Sequence, residues 1–348
     1  MKRNGVSLGI NLGLLLLLLA ATTAAGPAAA QAGIKMYVAS WGGDTISRAD
    51  LDGSNGESLG DLGGNLDAPC GIALDLAGGK MYVANYASNT ISRADLDGTN
   101  GEDLGNLGDT LDTPGGIALD LAGGKMYVAN VLGGTISRAD LDGTNGEDLG
   151  NLGGNVNSPC GIALDLATGK MYIADFAGHI SRADLDGSNG ENLGNLGATL
   201  NSPYGIALDL AGGKMYVTKG GANTISRADL DGTNGEDLGN LGGTLDGPAG
   251  IALDMARGKM YVANYNAGNH TVSRADLDGS NGESLGDLNS TLNRPFGIAL
   301  APLDPTAVEV TSFQSRAGLS APLALAGLLV LALSGAGWAI NRRRQVVH

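Results

Sequence analysis

The sequence predicts an all-β fold, a six-bladed β-propeller with four strands in each blade. The segment KMY begins at residues 35, 80, 125, 170, 214 and 259, which is a spacing of 44 or 45 residues. The segment GIAL also occurs six times, first at residue 71 and last at residue 297. A repeat of about 45 residues is typical of propeller blades, each built from four strands.

Four short patterns in each repeat predict the strands of one blade. GIALD is apolar, KMYVA alternates Met and Val with Tyr and Ala, and TISRADL places Ile, Arg and Asp on one side and Ser, Ala and Leu on the other. EDLGNL contains Gly and therefore predicts a weak outer edge strand. AGG and DGTNG join neighbouring strands, because Gly and Asn adopt the positive φ that tight turns need.

The phase of the repeats predicts a closed ring. The first copy begins at Lys35 without a GIAL strand, and the last copy ends with an extra one, Gly297–Leu300. Pairing of this extra strand with the first KMYVAS would build one blade from both ends of the repeat region. Closure would also remove the open strand edges that promote aggregation, whereas an open solenoid would need capping repeats.

The composition agrees with many short strands joined by tight turns. The 348 residues include 59 Gly and only 4% aromatic residues, too little bulk for one large core. Two cysteines argue against a disulfide scaffold, and Cys70 and Cys160 are expected to be free thiols, with a bridge between them as the alternative. Of the charged residues, 15 basic and 34 acidic ones lie in residues 34–301, which gives these repeats a charge of −19. This charge excludes nucleic acid as a partner and favours cations or basic partners.

Both ends of the chain predict membrane targeting. Residues 1–32 have a basic start, an apolar run and A-x-A sites, which predicts a secretory signal peptide, with an uncleaved anchor as the alternative. The propeller is predicted for residues 33–301 and a linker for 302–318. The uncharged stretch Leu319–Ile340 predicts a transmembrane helix over 319–341. The basic tail 342–348 is then cytoplasmic, and the repeats lie outside, at the cell surface or envelope.

The apolar segment followed by arginines resembles the C-terminal sorting tails of bacterial surface proteins, although no L-P-x-T-G motif is present. The repeat itself, P-x-G-I-A-L-D-L-A-G-G-K-M-Y-V-A-N followed by I-S-R-A-D-L-D-G-T-N, resembles the YWTD repeats of low-density-lipoprotein-receptor-type propellers. It is also similar to NHL repeats. The resemblance covers residues 34–300 and implies the propeller fold.

The tetrapeptide that names the YWTD repeat is changed in every copy, to YVAS, YVAN, YVAN, YIAD, YVTK and YVAN. In that family the acid braces the blade through hydrogen bonds to the backbone. The resemblance implies this role for Asp175 and, in part, for Asn85, Asn130 and Asn264, but not for Lys219. Receptor-type ligand binding is therefore not carried over to this chain.

Comparison of the six copies predicts one constant and one variable face. Loops between strands one and two, and between strands three and four, are nearly identical, whereas the other loops differ and carry most of the aromatic residues. Aromatic residues with polar neighbours around a central opening predict a recognition surface, with drift of loop sequences as the alternative. The candidate binding residues are Trp41, Asn85, Tyr86, Asn130, Asp175, Phe176, His179, Tyr204, Lys219, Tyr265, His270 and Phe296.

Catalytic and metal-binding patterns are weak. DLDGTNGE offers oxygen ligands, but it lacks the EF-hand spacing, so a hairpin turn is favoured over a Ca²⁺ site. The recurring Arg of ISRAD is expected to pair with acids in its own or neighbouring blades. No cofactor, metal ligand or catalytic residue is predicted.

The sequence therefore predicts a binding or scaffold module for an extracellular protein, peptide or glycan. A structural surface-coat protein and a metal-dependent propeller lactonase or lyase are the alternatives. The oligomeric state is left open.

Overall fold

The computed structural model describes residues 34–197, 200–266, 268 and 270–302. These residues form 24 β-strands arranged as six four-stranded sheets, and none of them is helical. The six-bladed propeller predicted from the repeats is therefore confirmed. The predicted signal peptide, the linker beyond Pro302, the transmembrane helix and the basic tail lie outside the described residues. Within the described part of the chain, no helix is long and apolar enough to cross a membrane.

Each blade contains an inner strand at the central channel, two middle strands and an outer strand. Blade 1 contains β1 (Ile34–Ser40), β2 (Thr45–Asp50) and β3 (Glu57–Gly60). Blade 2 contains β4 (Pro69–Asp75), β5 (Lys80–Asn85), β6 (Thr90–Asp95) and β7 (Glu102–Asp103). Blade 3 contains β8 (Pro114–Asp120), β9 (Lys125–Asn130), β10 (Thr135–Asp140) and β11 (Glu147–Asp148).

Blade 4 contains β12 (Pro159–Asp165), β13 (Lys170–Asp175), β14 (His179–Asp184) and β15 (Glu191–Gly194). Blade 5 contains β16 (Pro203–Asp209), β17 (Lys214–Lys219), β18 (Thr224–Asp229) and β19 (Glu236–Gly239). Blade 6 contains β20 (Pro248–Asp254), β21 (Lys259–Asn264), β22 (Thr271–Asp276) and β23 (Glu283–Ser284). The last strand, β24 (Pro295–Pro302), is the inner strand of blade 1. The outer strands are two to four residues long, as the Gly in EDLGNL predicted.

The ring closes through blade 1. Strand β24 pairs antiparallel with β1, in a register that places Pro302 opposite Ile34 and Leu300 opposite Met36. The predicted pairing of the two ends of the repeat region is confirmed. Since Ile34 begins β1 and Pro302 ends β24, both ends of the described chain leave the propeller on the same side, which is the constant face.

The hydrophobic core consists of six layers between neighbouring blades. In the layer between blades 1 and 2, Tyr37 and Ala39 pack against Met81 and Val83. The alternation in KMYVA thus buries Tyr and Ala on one side of a sheet and Met and Val on the other. On the other side of blade 1, Met36 and Val38 belong to an equivalent layer that packs against blade 6.

Glycine allows the inner strands to approach one another closely. A Cβ atom on Gly71 would lie 2.5 Å from the carbonyl oxygen of Gly115 in the next blade, and one on Gly297 would lie 2.1 Å from that of Cys70. Either distance is shorter than any non-bonded contact, so only Gly fits the second position after each conserved Pro. The repeated P-x-G therefore sets the small radius of the central channel.

The recurring Arg of ISRAD links neighbouring blades. In all six blades its guanidinium pairs with the Glu of the outer strand at 2.5–2.7 Å. A second nitrogen donates to a Leu carbonyl of the next blade at 2.8–3.0 Å. The bond from Arg274 to Leu51 closes this circle. The predicted structural pairing is confirmed, and the acceptor in the neighbouring blade is a carbonyl group rather than an acid.

The DGTNG and DGSNG segments form hairpin turns that use their own polar groups. Asn55 and its five counterparts adopt φ of 52–53°, and the Asn55 side chain donates to Asp50 at 2.6 Å. Asp52 accepts hydrogen bonds from the backbone and hydroxyl of Ser54. The hydrogen bonds within the turn therefore account for the recurring Asp residues of these segments.

Candidate functional site

Two positions in each blade carry most of the variation on the variable face. The first is the residue that follows the conserved Pro of the inner strand, and we call these six residues the inner circle: Cys70, Gly115, Cys160, Tyr204, Ala249 and Phe296. The second is the residue that follows the KMY strand, and we call these six the outer circle: Trp41, Tyr86, Val131, Phe176, Gly220 and Tyr265.

The backbone holds both circles in the same way in every blade. The amide of each outer-circle residue donates to the carbonyl of the residue before the conserved Pro, as Trp41 does to Arg294 at 3.0 Å and Phe176 to Ser158 at 2.9 Å. The equivalent bond is present in the other four blades at 2.9–3.2 Å. Because this framework is constant, the side chains at these twelve positions account for most of the chemical differences between blades on this face.

Five aromatic side chains of the two circles form one continuous arc. Tyr204 contacts Phe176 and Phe296, with ring centroids 5.4 and 5.5 Å apart. Tyr265 contacts Phe296 at 5.7 Å and Trp41 at 6.0 Å. Edge and tilted contacts at these separations are favourable for aromatic pairs. The arc therefore extends across blades 4, 5, 6 and 1.

Small residues make this arrangement possible. Tyr204 and Phe296 come from blades 5 and 1, and they meet next to Ala249 of the intervening blade 6. A Cβ atom on Gly220 would lie 2.4 Å from the ring of Tyr204, and one on Gly115 would lie 2.9 Å from the side chain of Val131. In blades 3 and 5, a glycine at one position thus makes room for the larger side chain at the other.

The arc borders a cavity of about 460 Å³ at the mouth of the central channel. Among the described residues that line it, none is Lys, Arg, Asp or Glu. The lining residues are Trp41, Cys70, Tyr86, Gly115, Val131, Leu132, Ser158, Cys160, Phe176, Tyr204, Tyr265 and Phe296. Volume and lining are those of a ligand pocket, which is mostly apolar with a few polar groups. We call this cavity the aromatic pocket.

Burial favours the neutral form of four titratable groups of the aromatic pocket, namely Cys70, Tyr86, Cys160 and Tyr204. Burial raises the pKa of Tyr204 to about 12 and that of Cys160 to about 12, and it also raises the pKa of Cys70 and Tyr86. Both thiols are free and buried, as the sequence predicted. Among the described residues, none makes a hydrogen bond to the hydroxyl groups of Tyr86, Tyr204 or Tyr265, so these groups are available to a ligand.

Six of the twelve candidate binding residues line the aromatic pocket: Trp41, Tyr86, Phe176, Tyr204, Tyr265 and Phe296. The other six do not line it. The candidate set omits the other six lining residues, which are Cys70, Gly115, Val131, Leu132, Ser158 and Cys160. Of these, Val131 and Leu132 add the most apolar surface. Their signal was the loop NVLGGT, in which Val131 occupies a position that is mostly aromatic in the other copies and Leu132 one that is mostly Gly or Ala.

Asn85, Asn130 and Asp175 are fully buried, so the structure makes them supports of the pocket rather than contacts on its surface. Asn130 accepts from the amide of Asp112 at 3.1 Å and donates to the carbonyl of Thr110 at 3.1 Å. Asp175 accepts from the amide of Asn157 at 2.6 Å. These bonds hold the loop that leads into the inner strand, as the resemblance to YWTD repeats implied for this position.

Lys219 is only 2% exposed, although it is predicted to lie on the binding surface. Its ammonium group turns to the outer strand of its own blade and pairs with Asp237 at 2.7 Å. Lys219 therefore replaces the brace to the loop by an ion pair within blade 5, and its charge is not presented to the pocket.

The two candidate histidines lie outside the aromatic pocket. His179 is half-buried, and its Nε2 bonds to the carbonyl of Asn155 at 3.0 Å. His270 borders a different, outer cavity together with Asp287 and Ser290. Among the residues described, no group of three or more His, Cys, Asp or Glu is placed to hold a metal ion.

Comparison with known proteins adds evidence on the fold. No protein-family model and no curated protein sequence matches the chain. One chain of the crystal structure of a nidogen/laminin complex matches with a TM-score of 0.65 and 20% identity, over 78% of this chain and 100% of that one. The resemblance to YWTD and NHL-like propellers is confirmed for the fold. Since 1355 chains of solved structures match, the fold alone does not select a function.

Proposed function

We propose that this protein is an extracytoplasmic binding module that captures its ligand in the aromatic pocket of the variable face. The observation that carries the proposal is the continuous arc of five aromatic side chains at a cavity of about 460 Å³. Contiguous apolar surface of this kind is costly to expose to water, and in soluble proteins it marks sites of interaction.

The distribution of sequence change supports a selected site. The hydrogen bonds that hold the two circles are the same in all blades, yet the twelve positions carry seven residue types: Trp, Tyr, Phe, Val, Ala, Cys and Gly. Drift has no reason to bring five aromatic residues from four blades into mutual contact. Selection for a ligand-binding surface accounts for both features.

The exit points of the chain support display of this face. Ile34 and Pro302 lie opposite each other at the constant face. If residues 319–341 span a membrane, as their sequence predicts, the attachment lies on the constant side. The variable face and its pocket then point away from the membrane and are open to a ligand. The matched chain from the nidogen/laminin structure, which belongs to a complex of two proteins, agrees with a binding role.

The experiment compares capture by three forms of the full-length protein displayed on cells: wild type, a Tyr204→Ala, Phe296→Ala double variant, and Leu166→Ala on the constant face. Leu166 is the control because it is exposed but remote from the pocket. We expect mass spectrometry to find material retained from the medium by wild type and by Leu166→Ala, and lost from the pocket variant. Equal retention by all three correctly folded forms would refute the proposal and favour the surface-coat alternative.

A further inference from the structure

We infer that the aromatic pocket recognises the methylated ammonium group of a small organic cation. This inference rests on the proposed function, because it assigns a ligand class to the same pocket. Three properties of the described lining lead to it: the absence of charged side chains, the scarcity of hydrogen-bonding groups and the abundance of aromatic rings.

An anionic ligand does not fit the pocket. Its lining contains no Lys or Arg that could compensate a negative charge. The repeats around it carry a charge of −19, so the field of the protein repels anions and attracts cations. A small hard metal ion is equally disfavoured, because it requires carboxylate or carbonyl ligands and the lining has no carboxylate.

A ligand rich in hydroxyl groups, such as a glycan, also fits poorly. Apart from the thiols, the polar side-chain groups of the lining are the hydroxyl of Ser158, the hydroxyls of three tyrosines and the indole N–H of Trp41. Most hydroxyl groups of a buried sugar would find no partner there, and each unsatisfied polar group costs free energy. The ligand group that enters the pocket must therefore be weakly hydrated.

A methylated ammonium meets these requirements. Its charge is spread over methyl groups that need no hydrogen-bond acceptor, and the faces of aromatic rings attract it. The protein already uses this interaction at the rim of the pocket, where the guanidinium of Arg294 lies 5.5 Å from the ring centroid of Trp41. Apart from Arg294 at the rim, the aromatic rings and the overall negative charge of the repeats determine the electrostatics of the pocket.

The test uses choline and its neutral isostere 3,3-dimethylbutan-1-ol, in which carbon replaces the nitrogen. The chain has two Trp residues, and Trp338 lies outside the propeller. In the full-length Trp338→Phe protein, Trp41 is therefore the single tryptophan, and its fluorescence reports on the pocket. Both probes are titrated into this protein and into two further variants, Phe296→Leu and Leu132→Ala, each made in the same background.

We expect choline to bind about tenfold more tightly than the isostere, since a desolvated cation–π interaction supplies an effect of this size. Phe296→Leu keeps apolar bulk but removes an aromatic face, so it should weaken choline by several-fold and leave the isostere unchanged. Leu132→Ala should weaken both probes equally. Equal binding of the two probes, or no binding of choline at millimolar concentration, would overturn the inference. In that case the proposed function stands or falls separately, on the capture experiment.

Discussion

Blades 2, 3, 4 and 6 are braced by a buried Asn or Asp, whereas blade 5 has Lys219 at this position. Replacing Asp237, the partner of Lys219, with Asn tests whether their ion pair stabilises blade 5. Lys219 is 2% exposed and Asp237 is 48% exposed, and their charged groups are 2.7 Å apart. Breaking a buried ion pair costs about 3–5 kcal/mol, because one charge remains buried without its partner. Since Asp237 is half-exposed, water partly replaces it, and we expect a loss of about 2 kcal/mol.

A loss of this size lowers the melting temperature by about 4–8 °C for a domain of this length, which calorimetry measures readily. Asp103→Asn is the matched control. Asp103 accepts from the amide of Gly105 at 2.8 Å, as Asp237 does from that of Gly239, but it has no Lys partner. In blade 4 this position is Asn192, which makes the same bond at 2.7 Å. The Asn itself should therefore cost little, and only the Lys219 pair should be lost.

A double variant completes the test. Lys219→Asn restores the residue found in blades 2, 3 and 6, so Lys219→Asn combined with Asp237→Asn should recover most of the stability lost in Asp237→Asn. If Asp237→Asn melts together with wild type and Asp103→Asn, the ion pair does not stabilise blade 5 and the reasoning is wrong.

The same pair predicts a pH dependence. Burial raises the pKa of Asp237, but hydrogen bonds from Lys219 and from the Gly239 amide outweigh it, and the net pKa is below the ordinary 3.8. A carboxyl whose pKa is lowered by folding stabilises the protein above its unfolded pKa and loses this contribution as the pH falls through its folded pKa. The difference in melting temperature between wild type and Asp237→Asn should therefore be constant near neutral pH and shrink below pH 3.8.

Two further predictions concern the ring and its thiols. Gly297→Ala should lower the melting temperature by at least about 4 °C, because its Cβ atom would overlap the carbonyl of Cys70 and force the closing strand outward. Gly268→Ala is the control, since Gly268 has open space around it and this variant should melt like wild type. Equal melting of both variants would contradict the close approach of the inner strands. Cys70 and Cys160 should not react with Ellman's reagent at about pH 8 in the native protein and should react fully after unfolding. The reason is that burial raises the pKa of both thiols, and the thiolate is the reactive form. Rapid labelling of the native protein would show that these thiols are exposed.

Much of the fold could be predicted because its determinants are local and repeated six times. The alternation in KMYVA decides which side of a sheet carries Tyr and which carries Met. The Gly of P-x-G and the Asn of DGTNG mark backbone positions that few other residues can occupy. The extra GIAL strand at residue 297 was sufficient to predict the pairing of β24 with β1.

The candidate site could be predicted only in part. Sequence comparison identifies Tyr204 and Phe296 as variable, but not as neighbours, because 92 positions separate them along the chain and a third blade lies between them. It also groups Asn130 and Lys219 with the exposed residues. A polar residue next to a loop looks alike in sequence whether its side chain is buried and braces the loop or is exposed to solvent. Burial separates the two cases, and burial depends on the packing of neighbouring blades.

By itself, the sequence determined the number of blades, the order of strands, the closure of the ring and the division into a constant and a variable face. Short-range patterns of apolar residues, Gly and Asn encode all four. Only the tertiary structure decided that five aromatic rings meet at one pocket without charged side chains, and that Lys219 turns inward to Asp237. These features depend on distances between side chains from different blades, and such distances are set by how the sheets pack around the axis, not by spacing along the chain.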